Sequence, residues 1–133
     1  MSSKDHDQDH EPEPRNFEPK APVTVAPPKD DPISLEYLSK CDGNSPGHPT
    51  YVAIKGKVFD VSGNSAYAPG GQYHVFAGKD ASRALAQSSL KPEDARAEWE
   101  DLPDKEKQVL TDWFTFFSKR YSIVGVVQGA SNL

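Results

Sequence analysis

Seven of the twelve prolines fall in residues 1–32, and apart from Met1 the only large apolar residue there before Val23 is Phe17. Such a segment cannot bury enough apolar surface to offset the entropy of ordering it. Whatever core the chain builds must come from residues 33–133, which allows one domain with a single modest core. Residues 1–32 are expected to be a disordered, acidic, proline-rich tail, with "APVTVAPPKDDP" as a polyproline-like linker. His6 and His10, interleaved with Asp and Glu, are either weak metal ligands or part of a solvated tail. The domain is expected over residues 33–127, with residues 128–133 as a C-terminal tail.

The tail also carries most of the charge. It holds four basic and eight acidic residues, a balance of −4 out of −5 for the chain, which leaves −1 for residues 33–133. A near-neutral domain beside an acidic tail has nothing to offset phosphate repulsion, so nucleic-acid binding is not expected. The lone Cys41 cannot form an internal disulfide. No run approaches the roughly 18–20 apolar residues of a bilayer span, and "MSSKDHDQDHEPEPR" lacks the apolar core of a secretory signal. A cytoplasmic location is therefore expected.

Local signals give an order of elements. Ser34 suits the N-cap of a short helix, "LEYLSKC", that Asp42-Gly43 ends. "TYVAIKGKVFDVS" reads as a hairpin around Lys55-Gly56, with Gly56 at positive φ and Val52, Ile54, Val58 and Val61 as its apolar complement. Asn64 to Gln72 is loop, and Tyr73 to Phe76 one helical turn. Asp80 is placed as N-cap of a helix over "ASRALAQSS", and Pro92 in the first turn of a helix over "PEDARAEWEDL". The strongest helical pattern runs from Asp104 to Lys119, with Val109, Trp113, Phe116 and Phe117 on one stripe that Leu110 and Phe114 broaden. "YSIVGVV" ends the domain as a strand. The order predicts an α+β fold with few strands.

Signatures of catalysis are missing: no Gly-x-Ser-x-Gly, no phosphate loop, no His-Glu-x-x-His. The acids of "EDARAEWEDLPDKE" read as a solvated face, and His48, His74 and Cys41 are too few for a zinc site. No enzymatic activity is expected. What stands out is a glycine-flexed aromatic loop, Tyr67, Pro69, Gly70, Gly71, Tyr73, His74 and Phe76. Its aromatics either fill a small core or, with glycines allowing close backbone approach, wall a planar ligand.

Three segments, "VAIKGKVFDVS", "AYAPGGQYHVFAGKDASRALA" and "LTDWFTFFSKRYSIVGVV", resemble the cytochrome b5-like haem/steroid-binding domain. Within it they are similar to the membrane-associated progesterone receptor branch and its fungal damage-response haem proteins. The motif Tyr-x-Pro-x-Gly-x-Tyr-x-x-Phe-Ala-Gly-x-Asp-Ala-Ser-Arg, Tyr67 to Arg83, carries the likeness. The resemblance implies a short mixed sheet with several short helices around a haem pocket, and haem b as cofactor. The related His-Pro-Gly-Gly turn ligates iron through its histidine, but Ala68 stands at that position here. In the resembled branch one tyrosine phenolate holds the iron, which implies Tyr73, with Tyr67 hydrogen-bonding that ligand. A Lys-Tyr pair lining the haem site corresponds to Lys119-Arg120-Tyr121, where Tyr121 matches and Arg120 replaces lysine. The change keeps the charge but alters the geometry offered to a propionate.

The chemistry is coherent with that assignment. A phenol with an ordinary pKa near 10 binds as phenolate only if the metal and a neighbouring donor stabilise the anion. A hard anionic ligand favours ferric iron, and a single axial ligand leaves the sixth position open. His74 is the rival ligand, pointing about 100° from Tyr73 on one helical turn, and spacing alone does not separate the two. The resemblance implies support of P-450-type monooxygenases in sterol synthesis, with recruitment to the endoplasmic reticulum through a partner. A sterol-binding module and an electron-transfer haem protein are the alternatives. A flat apolar haem face left open by so small a domain also predicts a haem-dependent homodimer.

Overall fold

The computed structural model describes residues 27–130 and Asn132; of the tail expected over residues 1–32, residues 1–26, with His6 and His10, lie outside the described residues. Among the described residues, four strands form one mixed sheet in the order β1-β4-β3-β2, with β1 Pro32–Ile33, β2 Tyr51–Ile54, β3 Lys57–Asp60 and β4 Ile123–Val127. β2, β3 and β4 pair antiparallel, and β1 lies parallel to β4. Three α-helices accompany the sheet: α1 Leu35–Lys40, α2 Ser82–Ala86 and α3 Asp104–Arg120. Short 3₁₀ turns occupy Ser65–Tyr67, His74–Phe76 and Pro92–Asp94. This is the expected α+β class.

The hairpin forms where expected because Gly56 adopts φ +79° and Lys55 joins it at +52°, the pair of positive φ values that a two-residue turn matched to strand twist requires. Both faces of the sheet are covered. Val52, Ile54, Phe59 and Val61 meet α2, α3 and the tyrosine turns, while Ala53, Val58 and Val127 meet Leu38 of α1. The expected apolar complement thus divides, with Val58 on the second face. The stripe on α3 is centred on Leu110, Trp113 and Phe117, its buried residues, with Val109, Phe114 and Phe116 flanking them. Burying a side chain such as Phe59 or Phe117 contributes about 1.5–3 kcal/mol.

Two expectations are corrected. The helix expected over residues 92–102 is only the turn Pro92–Asp94. Carbonyls beyond that turn serve tertiary partners: Arg96 O accepts from Arg83 N, Ala97 O from Asn132 Nδ2, and Glu98 O from Arg83 Nη1. Ala81, not Asp80, caps α2, which ends early as Ser88 turns to φ +54°. Asp80 instead accepts from Gly56 N, Ser82 N, Ser82 Oγ and Asn132 Nδ2, joining the hairpin to α2 and the C-terminal segment.

The boundary expected between residues 32 and 33 falls within β1. Lys29 N donates to Ile123 O and Val126 N to Asp31 O. Gly125 makes room for this segment, since a Cβ there would stand 2.5 Å from Asp31 O. The C-terminal tail expected over residues 128–133 contains Gln128, whose N–H donates to Ile33 O, and Asn132, which is buried.

Candidate functional site

Two 3₁₀ turns, joined back to back, build the site. Asn64 caps the first, its Oδ1 accepting from Ala66 N at 2.9 Å, so Tyr67 leaves the loop in a fixed direction. The Pro69-Gly70-Gly71 bend then reverses the chain, with Gly70 at φ +86° and Gly71 N donating to Ala68 O at 2.8 Å. Tyr73 N closes the loop by donating to Ala66 O at 2.8 Å. Gly71 serves this closure: a Cβ there would stand 2.4 Å from Ala66 O and 2.5 Å from Ser65 O. The reading of that glycine as room for a planar ligand is therefore replaced by room for the chain itself.

The closure brings the Tyr67 and Tyr73 rings to 5.7 Å between centroids. Tyr73 is partly buried and stacks on Phe76 at 5.9 Å with 19° between planes. Tyr121 arrives from the C-cap of α3, its ring edge-on to Tyr67 at 6.4 Å and 88°. Asn64 Nδ2 donates to Tyr121 Oη at 2.8 Å, so one asparagine both caps the first turn and orients the third tyrosine. Phe117 lies behind them, 5.1 Å from Tyr121 and 6.2 Å from Tyr67. The Arg120 guanidinium lies 4.4 Å from the Phe116 ring centroid, within cation–π range, and Lys119 is exposed beside it.

The expected residues Tyr67, Tyr73 and Tyr121 thus meet in one patch at the end of α3 that carries Lys119 and Arg120. Their environments differ. Tyr67 is 4% exposed, and burial pushes its phenol well above the ordinary tyrosine range. It keeps its proton at neutral pH and is a hydrogen-bond donor, not an anion. Burial also raises Tyr121, opposed by the bond from Asn64 and the charge of Arg120. The patch thus sets the partly buried phenol of Tyr73 beside the buried phenol of Tyr67, an oxygen-donor set of a type known among haem ligands, with two cations on the adjoining helix end.

His74 stands apart. Its Nε2 lies 2.8 Å from Asp42 O, and because a carbonyl only accepts, Nε2 carries the proton. The ring lines a separate groove behind the glycine turn. Sequence reasoning missed Asn64 as a site residue. Its signal was present in the Asn before "SAY", a capping residue opening a turn. Its bond to Tyr121, 57 residues away, has no local signal.

Residues 34–126 match the family described as "Cytochrome b5-like Heme/Steroid binding domain". A protein of Arabidopsis thaliana called "Probable steroid-binding protein 3" is 50% identical over 71% of this chain and 96% of its own. "Membrane steroid-binding protein 2" of Oryza sativa is 44% identical over 72% of this chain, which spans only 37% of that longer relative. A solved Arabidopsis thaliana structure described as having a cytochrome b5 like fold superposes with a TM-score of 0.68 at 46% identity. The match covers 74% of this chain and 92% of that one. Among the described residues no helix is long and apolar enough to cross a membrane.

Proposed function

The chain belongs to the cytochrome b5-like haem/steroid-binding domain family, and from that premise we propose that it binds haem b through the phenolate of Tyr73. The observation that carries the reading is the pairing of partly buried Tyr73 with buried Tyr67, whose proton is held by its surroundings. Tyr67 is the donor that stabilises an anionic neighbour, Tyr121 completes the oxygen-rich wall, and Lys119 and Arg120 supply cations for the propionates. His74 is the weaker ligand candidate because its Nε2 is engaged at Asp42 O. Bound haem would supply a ferric centre with one coordination position open.

The role is one of binding and regulation, not catalysis. We propose that the domain supports P-450-type monooxygenases in sterol synthesis, as in the fungal damage-response branch. It works from the cytoplasmic side, is recruited to the endoplasmic reticulum by its partner, and pairs with a second copy when haem is bound. Sedimentation velocity of haem-loaded and haem-free protein tests the pairing; identical monomer peaks would refute it. Steroid binding is the second reading, favoured by the names of the relatives and by the groove beside His74.

Reconstitution with hemin tests the ligand. The wild type is expected to show the Soret and charge-transfer bands of a high-spin ferric haem. Tyr73→Phe should lose most haem affinity while keeping the fold, because only the hydroxyl goes. Tyr67→Phe should lose less, about 10–100-fold, the usual cost of a group that orients a metal ligand. An unchanged spectrum in Tyr73→Phe would refute the assignment, and a larger loss in Tyr67→Phe would exchange the two roles.

A further inference from the structure

We propose that Lys91 is an attachment site for a small ubiquitin-like modifier, read by the conjugating enzyme through the tetrapeptide Leu90-Lys91-Pro92-Glu93. Such an enzyme recognises a large aliphatic residue just before the lysine and an acid two places after it, in a segment extended at the lysine. No other lysine of the sequence has both neighbours. A motif of four residues also occurs by chance, so the structure around it decides whether it can be read. All four residues are exposed. Leu90 is 39% exposed, and among the described large apolar side chains only Leu35 and Tyr37 are more open.

The backbone is set for presentation. Pro92 holds the residue before it extended, and Lys91 stands at φ −82° and ψ 134°. Ser89 Oγ accepts from Lys91 N at 3.1 Å and donates to Asp94 Oδ2 at 2.7 Å, while Asp94 N donates to Lys91 O at 3.1 Å. These bonds fix the segment between α2 and the Pro92–Asp94 turn, so docking orders little further chain. Among the described residues no ion pair engages Lys91 or Glu93. Beyond Glu93, Asp94, Glu98, Glu100 and Asp101 outnumber Arg96, a balance that favours the approach of a basic enzyme surface. In the reaction the Lys91 ammonium yields one proton to solvent. The free amine then attacks the thioester carbonyl that joins the modifier's C-terminal glycine to the enzyme's cysteine. The N–C bond forms, the C–S bond breaks, and the surplus amine proton passes to the leaving thiolate.

Incubation of the full chain with activating enzyme, conjugating enzyme, the modifier and ATP tests the site. Adducts are quantified on denaturing gels and located by mass spectrometry of the peptides. Wild type is expected to give an adduct at Lys91 without a ligase, because the conjugating enzyme reads the tetrapeptide itself. Lys91→Arg should abolish it. Glu93→Gln should slow its formation about tenfold or more, through loss of a charged acceptor. Both side chains are exposed, so the two variants should melt as wild type does. No adduct on wild type, an adduct of full yield on Lys91→Arg, or an unchanged rate in Glu93→Gln would each overturn the proposal.

Discussion

Asp80 and Asn132 show how single side chains hold this domain. Asp80 is 7% exposed, and its carboxylate collects two backbone N–H groups, a hydroxyl and the Asn132 amide. Asn132, 4% exposed, also donates to Ala97 O at 3.0 Å, and its own carbonyl accepts from Trp99 Nε1 at 3.1 Å. Asn132→Ala strips one donor from a buried carboxylate and another from a carbonyl, at a cost of about 1–3 kcal/mol. The urea unfolding midpoint should fall accordingly; an unchanged midpoint would mean the amide adds nothing to stability. At this scale the sequence was partly legible. Tyr67 and Tyr73 stand out because a glycine bend between two phenols is an unusual local pattern. Asn132 does not, since its partners lie 35 and 52 residues away.

Among the elements, the tyrosine turns depend on one close approach. Gly71→Ala would drive a methyl carbon into the carbonyls of Ser65 and Ala66. The expected cost is about 1–3 kcal/mol of overpacking, together with weakened haem binding as Tyr73 shifts from Tyr67. Gly63→Ala, with nothing within 4 Å of the added carbon, should leave melting temperature and hemin affinity unchanged. Equal melting temperatures and hemin affinities for the two variants would remove Gly71 from the argument. Elements were legible where their cause is local: the hairpin from Lys55-Gly56, α1 from the Ser34 cap, α3 from its aromatic stripe. The segment after Pro92 was misread as helix because its helical propensity yields to hydrogen bonds made with Arg83 and Asn132.

For the molecule as a whole, the buried phenols set the alkaline limit. Burial raises Tyr67 well above 10.0, the usual tyrosine value, and raises Tyr121 in the same direction. Above about pH 10 the unfolded chain sheds these protons while the folded chain keeps them, so stability falls as pH rises. Cys41, buried and likewise raised from an ordinary 9.0, adds to this loss, so the haem-free melting temperature should decline as pH rises through about 9–10. Tyr67→Phe should flatten that decline, as seen in thermal scans from pH 8 to about 11; an identical decline in the variant would show that Tyr67 is not its source. Partly buried Arg83 pairs with exposed Asp101 and holds the Asp101 carboxyl below its usual range. Whatever stability it adds is lost as pH falls through that lowered value, and solvent screening keeps it small.

The amino-acid sequence alone determined the α+β class, the main elements and the two tyrosines of the turn, because caps, turn glycines and apolar period act over a few residues. It also carried the family, through a long uninterrupted motif from Tyr67 to Arg83. Tertiary structure decided which groups meet. It set Asn64 on Tyr121, turned His74 toward Asp42, and tied Asp31 to Val126 and Asn132 to Asp80. Those choices depend on contacts between residues 32 to 95 positions apart in the chain. Only closure of the whole chain, not any local preference, brings such residues within hydrogen-bonding distance.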